Sequence, residues 1–266
     1  MIGELLRRVE ASGSVHIVDL ADPGRAISHR ADLALPLASV VKIPVVVALA
    51  RASDRGELDP TTAVELVPDQ RSVGTTGISA MSDPVTLSLR DAAYLALTIS
   101  DNAAADAIAD ALGGPAAVSA EMAALDIPIV MTEPLSTMYD RAESEALAAD
   151  TTPGSARACV DLLALIWQDR AASPDWCARI RSLMARQVWQ HRLGSGFPAP
   201  DVSVAGKTGT MALWRHEIGV VSYPDGSRYG VAVLTQQGDP VAHPGHDRAI
   251  GEIARAGVLA LRRGTT

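Results

Sequence analysis

The stretch Leu35–Val46, LPLASVVKIPVV, places a serine three positions before a lysine inside an almost wholly apolar run. Lysine is rare in this chain: of 23 basic residues only Lys42 and Lys207 are lysine, and the remainder are arginine. Arginine keeps its proton in a protein, whereas a buried lysine can be driven towards neutrality and serve as a base or relay. If a helix begins at or near Ser39, then Ser39 and Lys42 stand at i and i+3 on one face, close enough for the amine to take the hydroxyl proton. An isolated Ser-x-x-Lys reads more simply as an N-cap followed by a solvated lysine. Here ASVVKIPVVVALA is apolar almost all round, as buried helices are, so the lysine calls for a chemical reason.

The second lysine opens KTGT, Lys207–Thr210, after VSVAG and before a strand-rich region, which puts it on or beside a sheet edge. Small residues after it let a substrate approach the backbone, and the Thr210 amide can donate to an oxyanion; a turn is the structural alternative. A third element, Ser100-Asp101-Asn102, falls where one helix ends and the next begins. By itself such a tripeptide is more often a cap than a site, because all three residue types prefer helix N-termini.

Working outward, residues 2–11 read as an amphipathic helix with Ile2, Leu5, Leu6 and Val9 on one face, followed by a strand over Val15–Leu20. Near the other end, EIGVVSY and RYGVAVLTQ flank the turn residues Pro224–Ser227 and predict a hairpin. The segment Asp247–Arg263 carries Ile250, Ile253, Ala254, Val258 and Leu261 at helical spacing. Between these ends, helical alanine-rich patterns dominate. Ser88 with Asp91 reads as a capping box, and the run Ala103–Leu112 is stopped by Gly113-Gly114-Pro115. The layout predicts an α+β fold: an antiparallel sheet built from both chain ends (about 1–35 and 200–266) and flanked by helices, with a helical subdomain (about 36–199) inserted.

The length and the 48% hydrophobic content suit one large domain or two intimately joined subdomains. A formal charge of −8 without a basic run excludes a phosphate backbone as partner and disfavours an anionic membrane surface. A small-molecule substrate and a monomer are expected. Cys159 and Cys177 lack metal or redox spacing and read as free buried thiols. The first residues alternate charge and apolar groups too quickly for a secretory leader, and no run approaches a membrane span, so the expectation is a cytoplasmic protein.

Ser39-x-x-Lys42, Ser100-Asp101-Asn102 and Lys207-Thr208-Gly209 resemble, in order, the three motifs of the serine β-lactamases and penicillin-binding proteins. Their intervals, 61 and 107 positions, are similar to those of class A β-lactamases, and LSLRDAAYLALTISDNAAADAIA resembles that family's helix around the second motif. The resemblance covers essentially the whole chain. It implies that Ser39 attacks a carbonyl and is acylated, with Lys42 as base or relay, and that Ser100 passes a proton to the leaving nitrogen. It further implies that Asn102 holds a substrate side-chain amide, that Lys207 supports Ser100, and that Thr208 and Thr210, either side of Gly209, bind a carboxylate. The Ser39 and Thr210 amides would form the oxyanion hole. No metal or cofactor is implied.

In class A enzymes a glutamate, placed before a stretch resembling Asp150-Thr151-Thr152-Pro153, activates water against the acyl-enzyme. DRAESEAL aligns Glu143 with it, although the loop to Asp150 is shorter than the family's and Ala146 and Leu147 stand where an asparagine belongs. The alternative is that Glu143 and Glu145 lie on a solvated helix face, and Glu133 is a weaker substitute beside Pro134. Arg215 and Arg228 are candidate carboxylate anchors. His243-x-x-His246 followed by Asp247 has metal-like residue types but precedes a helix, and reads as a capped helix start. The leading expectation is a serine acyl-enzyme hydrolase of β-lactams or similar amides. The alternatives are a transacylase or esterase of natural-product metabolism on the same scaffold, and a sensor acylated without turnover.

Overall fold

The first helix, α1 (Ile2–Arg7), is shorter than its apolar face suggested, because Glu10 turns the chain at φ +52° and β1 (Ala11–Asp19) follows directly. Ile2, Leu6 and Val9 are nevertheless all buried, as the pattern required. The computed structural model describes residues 1–143, 151–238 and 245–264, with only the backbone for 142 and 143. From β1 the chain reverses into β2 (Asp22–His29), pairing Ile17 with Ile27, and passes through β3 (Ala34–Pro36) to a 3-10 turn, Ala38–Val41. That turn feeds α2 (Lys42–Asp54), buried on nearly every side.

The middle of the chain is helical, with three short strands that the sequence did not announce. β4 (Ala63–Leu66) pairs with β5 (Val85–Ser88), and Ser88 then caps α3 (Leu89–Thr98) by accepting from the Asp91 amide at 3.1 Å. The Asp101 carboxylate caps α4 (Asn102–Ala111), accepting from the Ala104 amide at 3.1 Å. Gly113 and Gly114, at φ +101° and +96°, end that run as their left-handed backbone permits. There follow α5 (Pro115–Ala123), α6 (Leu135–Glu143), β6 (Pro153–Ser155, paired with β3), α7 (Ala156–Trp167), α8 (Pro174–Ala185) and α9 (Leu193–Gly196). Cys159 and Cys177 are free and buried.

The chain then lays down β7 (Ser203–Met211), β8 (Trp214–Ser222) and β9 (Arg228–Gln237) and closes with α10 (His246–Arg262). The five-stranded antiparallel sheet runs β2-β1-β9-β8-β7, so the first strands of the chain sit beside the last. Alternation along β9 divides the interior. Val231 and Val233 face α1 and α10 with Ile250, Ile253, Val258 and Leu261, while Ala232 and Leu234 face the core built around α2, α3, α4 and α7. This is an α+β fold of helices on both faces of an antiparallel sheet, as expected. Its edge strands are β2 and β7, and β7 carries Lys207.

Candidate active site

Ala38, at φ +49°, bends the chain out of β3 so that the 3-10 turn presents Ser39 at the head of α2, beside a cleft of about 740 Å³. One turn on, Lys42 is fully buried, and its Nζ donates to Ser39 Oγ at 2.9 Å. The same amine donates to Asn102 Oδ1 and the Ser100 carbonyl, each at 2.6 Å, and lies 3.1 Å from Ser100 Oγ. Burial depresses the Lys42 pKa to about 7, against the opposing pull of Asp101 and Asp106. Near neutral pH much of Lys42 is therefore an uncharged amine within reach of a serine hydroxyl proton.

Ser100 links α3 to α4 in a left-handed conformation, φ +64°, which a non-glycine residue holds only when its surroundings impose it. The imposing group is Asp101: its carboxylate accepts from the Ile78 amide at 2.5 Å and from Ser79 Oγ at 2.9 Å as well as capping α4. Ser100 Oγ is thereby aimed between the two lysines, since Lys207 Nζ also donates to it at 2.9 Å. Burial, and then the Lys42 charge, push the Lys207 pKa well down, with Glu217 pulling the other way. Three motifs far apart in sequence thus meet in one chain of contacts: Ser39, Lys42, Ser100, Lys207.

The remaining expected residues are present but engaged. Asn102 gives its Oδ1 to Lys42 and donates from Nδ2 to the Val73 carbonyl at 3.1 Å. The Thr208 amide and hydroxyl both donate to Gln187 Oε1, at 2.6 and 3.1 Å. Gln187 in turn donates to Glu217, a buried carboxyl whose pKa burial raises to about 7. Thr210 Oγ1 accepts from Arg192 at 2.7 Å.

Gly209 also has a packing role. A Cβ there would stand 2.8 Å from the Leu37 carbonyl and 3.0 Å from Val40, so its smallness admits the turn carrying Ser39. Gly209→Ala is expected to destabilise the protein by about 1–3 kcal/mol, since backbone yields poorly to an added methyl, with a parallel loss of Ser39 reactivity. Denaturant unfolding and the rate of Ser39 modification would check both.

Arg215 lines the cleft. Arg228 does not: it pairs with Ser222, seven residues along β8 from Arg215 and roughly 23 Å away at strand spacing. Glu133 is held by Arg141 at 2.9 Å and does not line the cleft either. Glu143 ends α6, and its side chain lies outside the described residues, as do Glu145, Ala146, Leu147, Asp150 and His243. His246 opens α10 with Nε2 2.7 Å from Thr235 Oγ1, and Asp247 accepts from Arg192 at 2.7 Å. Among the described residues no group of three or more His, Cys, Asp or Glu could hold a metal.

Besides Gln187 and Glu217, two more site residues escaped the sequence reading. Arg192, 2% exposed, lies beneath β7 and donates to the Gly209 and His216 carbonyls at 2.9 and 2.8 Å, besides Thr210 and Asp247. Tyr139, from α6, places its hydroxyl 2.9 Å from Ser39 Oγ and donates to the Thr210 carbonyl at 2.9 Å. The first is one arginine among many, and the second is 100 positions from the serine it touches.

A model of the beta-lactamase enzyme family matches residues 2–261. The chain is 32% identical to the beta-lactamase regulatory protein BlaB of Streptomyces cacaoi, over 92% of this chain and 91% of that protein. It is 29% identical to beta-lactamase AST-1 of Nocardia asteroides, over 90% and 76% respectively. Among solved structures it resembles a mutant of PBP-A in an acyl-enzyme complex with penicillin G (TM-score 0.86, 25% identity, 98% of this chain and 95% of that one). A beta-lactamase from Sphaerobacter thermophilus superposes as well (TM-score 0.86, 25% identity, 98% and 97%). No helix among the described residues is long and apolar enough to cross a membrane. Nearly full coverage by the family model agrees with a fold and a serine–lysine site of this kind: the chain belongs to the beta-lactamase enzyme family, hydrolases of amide bonds.

Proposed function

We propose that this chain opens β-lactam rings through an acyl-enzyme on Ser39. The observation that carries the reading is the 2.9 Å contact between Ser39 Oγ and a buried Lys42 whose pKa lies at about 7. Neutral Lys42 takes the Ser39 proton as Oγ attacks the lactam carbonyl. The developing oxyanion is received by the Ser39 and Thr210 amides, where one such donor lowers the barrier by about 3–4 kcal/mol. Ser100 then delivers a proton to the ring nitrogen as the C–N bond breaks, and the proton held by Lys42 replaces the one Ser100 gave up. What remains is an ester on Ser39 and a ring-opened amine. Lys207 keeps Ser100 polarised, and the Thr210 hydroxyl with Arg215 and Arg192 supplies the positive end of the cleft for a carboxylate.

The rate of acylation is expected to rise with pH through about 7, because only the deprotonated amine acts as base. Stopped-flow acylation by a chromogenic cephalosporin between pH 5.5 and 8.5 would show it. A rate independent of pH across that range would remove Lys42 from the role of base.

A second reading is favoured by the relative named a regulatory protein: Ser39 is acylated and holds the acyl group as a signal. Steady-state hydrolysis separates the two. Turnover of benzylpenicillin well beyond one equivalent, abolished by Ser39→Ala, supports the hydrolase; a single equivalent consumed supports the sensor. Loss of turnover with persistence of the acyl group in Glu143→Gln would assign Glu143 the deacylating step.

A further inference from the structure

Among the described residues, Tyr139 is the side chain lining the cleft that hydrogen-bonds to Ser39 Oγ. Its phenol carries a single proton and donates it to the Thr210 carbonyl at 2.9 Å, which leaves Ser39 Oγ–H as the donor in the 2.9 Å contact between the two hydroxyls. Burial raises the Tyr139 pKa, so the group stays neutral. Its hydroxyl therefore marks a point within hydrogen-bond distance of both the nucleophile and a carbonyl on the free edge of β7.

A substrate meets that point directly. When Oγ bonds to a lactam carbonyl whose oxygen lies between the Ser39 and Thr210 amides, the carbon next to the carbonyl is one bond from the attacked atom. A nitrogen on that carbon is two bonds away. An N–H at that position is a donor held close to Ser39 Oγ and aimed along a strand edge, and the Thr210 carbonyl is the acceptor such an edge offers. The Tyr139 hydroxyl already stands against that acceptor, in the place such an N–H would take. Asn102 offers no second acceptor, because its Oδ1 is taken by Lys42; its Nδ2 donates one hydrogen to the Val73 carbonyl and keeps the other for an acyl carbonyl.

Tyr139 is also held in place. The N-terminus of α6 is pinned by Asp106, which accepts from the Leu135 and Ser136 amides at 2.8 and 3.0 Å, and Leu135 and Met138 are fully packed in the core. Moving the phenol means breaking its own two contacts while the helix stays.

We propose that Tyr139 is a specificity-determining residue: its hydroxyl occupies the place of an N–H donor beside the attacked carbonyl, so the site selects lactams without an acylamino group on that carbon. This rests on the acyl-serine reading above. The chemical class implied is a bicyclic lactam carboxylate bearing hydrogen or a small group next to the carbonyl.

The test compares two probes, benzylpenicillin and the penicillanic acid nucleus lacking the 6-substituent, on the full chain, Tyr139→Ala and Tyr139→Phe. Second-order acylation rates are read by intact mass, and thermal unfolding shows that each variant is folded. Because intrinsic reactivity differs between probes, the readout is the change in their rate ratio on mutation. Tyr139→Ala is expected to shift the ratio towards benzylpenicillin by roughly tenfold or more, the size of one neutral hydrogen bond released for the substrate. Tyr139→Phe, which loses the donor and keeps the ring, should shift it the same way by less. A ratio unchanged in both variants, or moved towards the unsubstituted nucleus, overturns the proposal while leaving acylation at Ser39 intact. Absence of any Ser39-dependent adduct with either probe overturns the acyl-serine reading itself, and this one with it.

Discussion

Replacing Lys42 by methionine is expected to lower the rate of Ser39 acylation by about four to six orders of magnitude, the range seen when a nucleophile loses the base that acts with it. The amine is the group at 2.9 Å that can take the serine proton, and it shares Ser100 Oγ with Lys207, so removing it breaks both the activation of the nucleophile and the return of the proton. Ser39→Ala should cost about as much, and the double substitution little more, because the two act as a unit. Methionine is chosen because it fills a similar volume without a charge. Stability gives an independent readout. The Lys42 pKa falls from 10.5 to about 7 on folding. Between those values the unfolded chain binds a proton that the native chain does not, so stability rises with pH across that window. Lys42 should therefore raise the denaturation midpoint from pH 7 to about pH 9, above which the buried Cys159 thiol, whose pKa burial raises, contributes with the opposite sign. Lys42→Met should lose that share of the slope.

Removing Arg192 is the change expected to do most damage to the frame of the site. Its guanidinium serves Asp247, two main-chain carbonyls and the Thr210 hydroxyl at distances of 2.7–2.9 Å, from a position almost wholly out of water. Arg192→Ala leaves those acceptors without their donor, a loss of about 3–5 kcal/mol for a broken buried charge network. For a chain of this size that corresponds to a melting point lower by roughly 6–20 °C. Because Gly209 and Thr210 hang on the same group, the acylation rate should fall at least about a hundredfold, as expected when a positioned donor is lost. Arg192→Lys keeps a charge but not the planar fork, and should recover stability in part and activity hardly at all. Equal melting points for wild type and Arg192→Ala would remove Arg192 from the frame.

What could be read in the sequence follows from how chemistry is written there. Lys42 and Lys207 were legible because the chain has no other lysine, and Ser39 because it stands three positions before Lys42 in an apolar run; Ser100, in a tripeptide that alone reads as a cap, was legible only through the resemblance of the three motifs taken in order. The hairpin β8–β9 and α10 were legible because their apolar residues alternate or recur over nine or more positions. The pairs β3–β6 and β4–β5 were not, being strands of three or four residues whose partners lie far along the chain, too short for a period to register. The packing role of Gly209 could not be read, since its neighbour is the Leu37 backbone, brought there only by the fold. Arg192, Gln187, Glu217 and Tyr139 carry no local signal at all. Their roles exist because β7 packs on the turn of Ser39 with α6 over the cleft, a juxtaposition no window of sequence contains.

Trypsin offers a direct test of the central claim, because it releases Ala31–Lys42, ADLALPLASVVK, in which Ser39 is the sole hydroxyl. The measurement is peptide mass mapping of the protein quenched in acid within seconds of mixing with the unsubstituted penicillanic acid nucleus. An increment equal to the intact lactam on that peptide, and on no other, is the predicted result. The same increment on a different peptide, or ring-opened product accumulating with Ala31–Lys42 unmodified at every time sampled and in Ser39→Ala alike, would contradict the acyl-serine account.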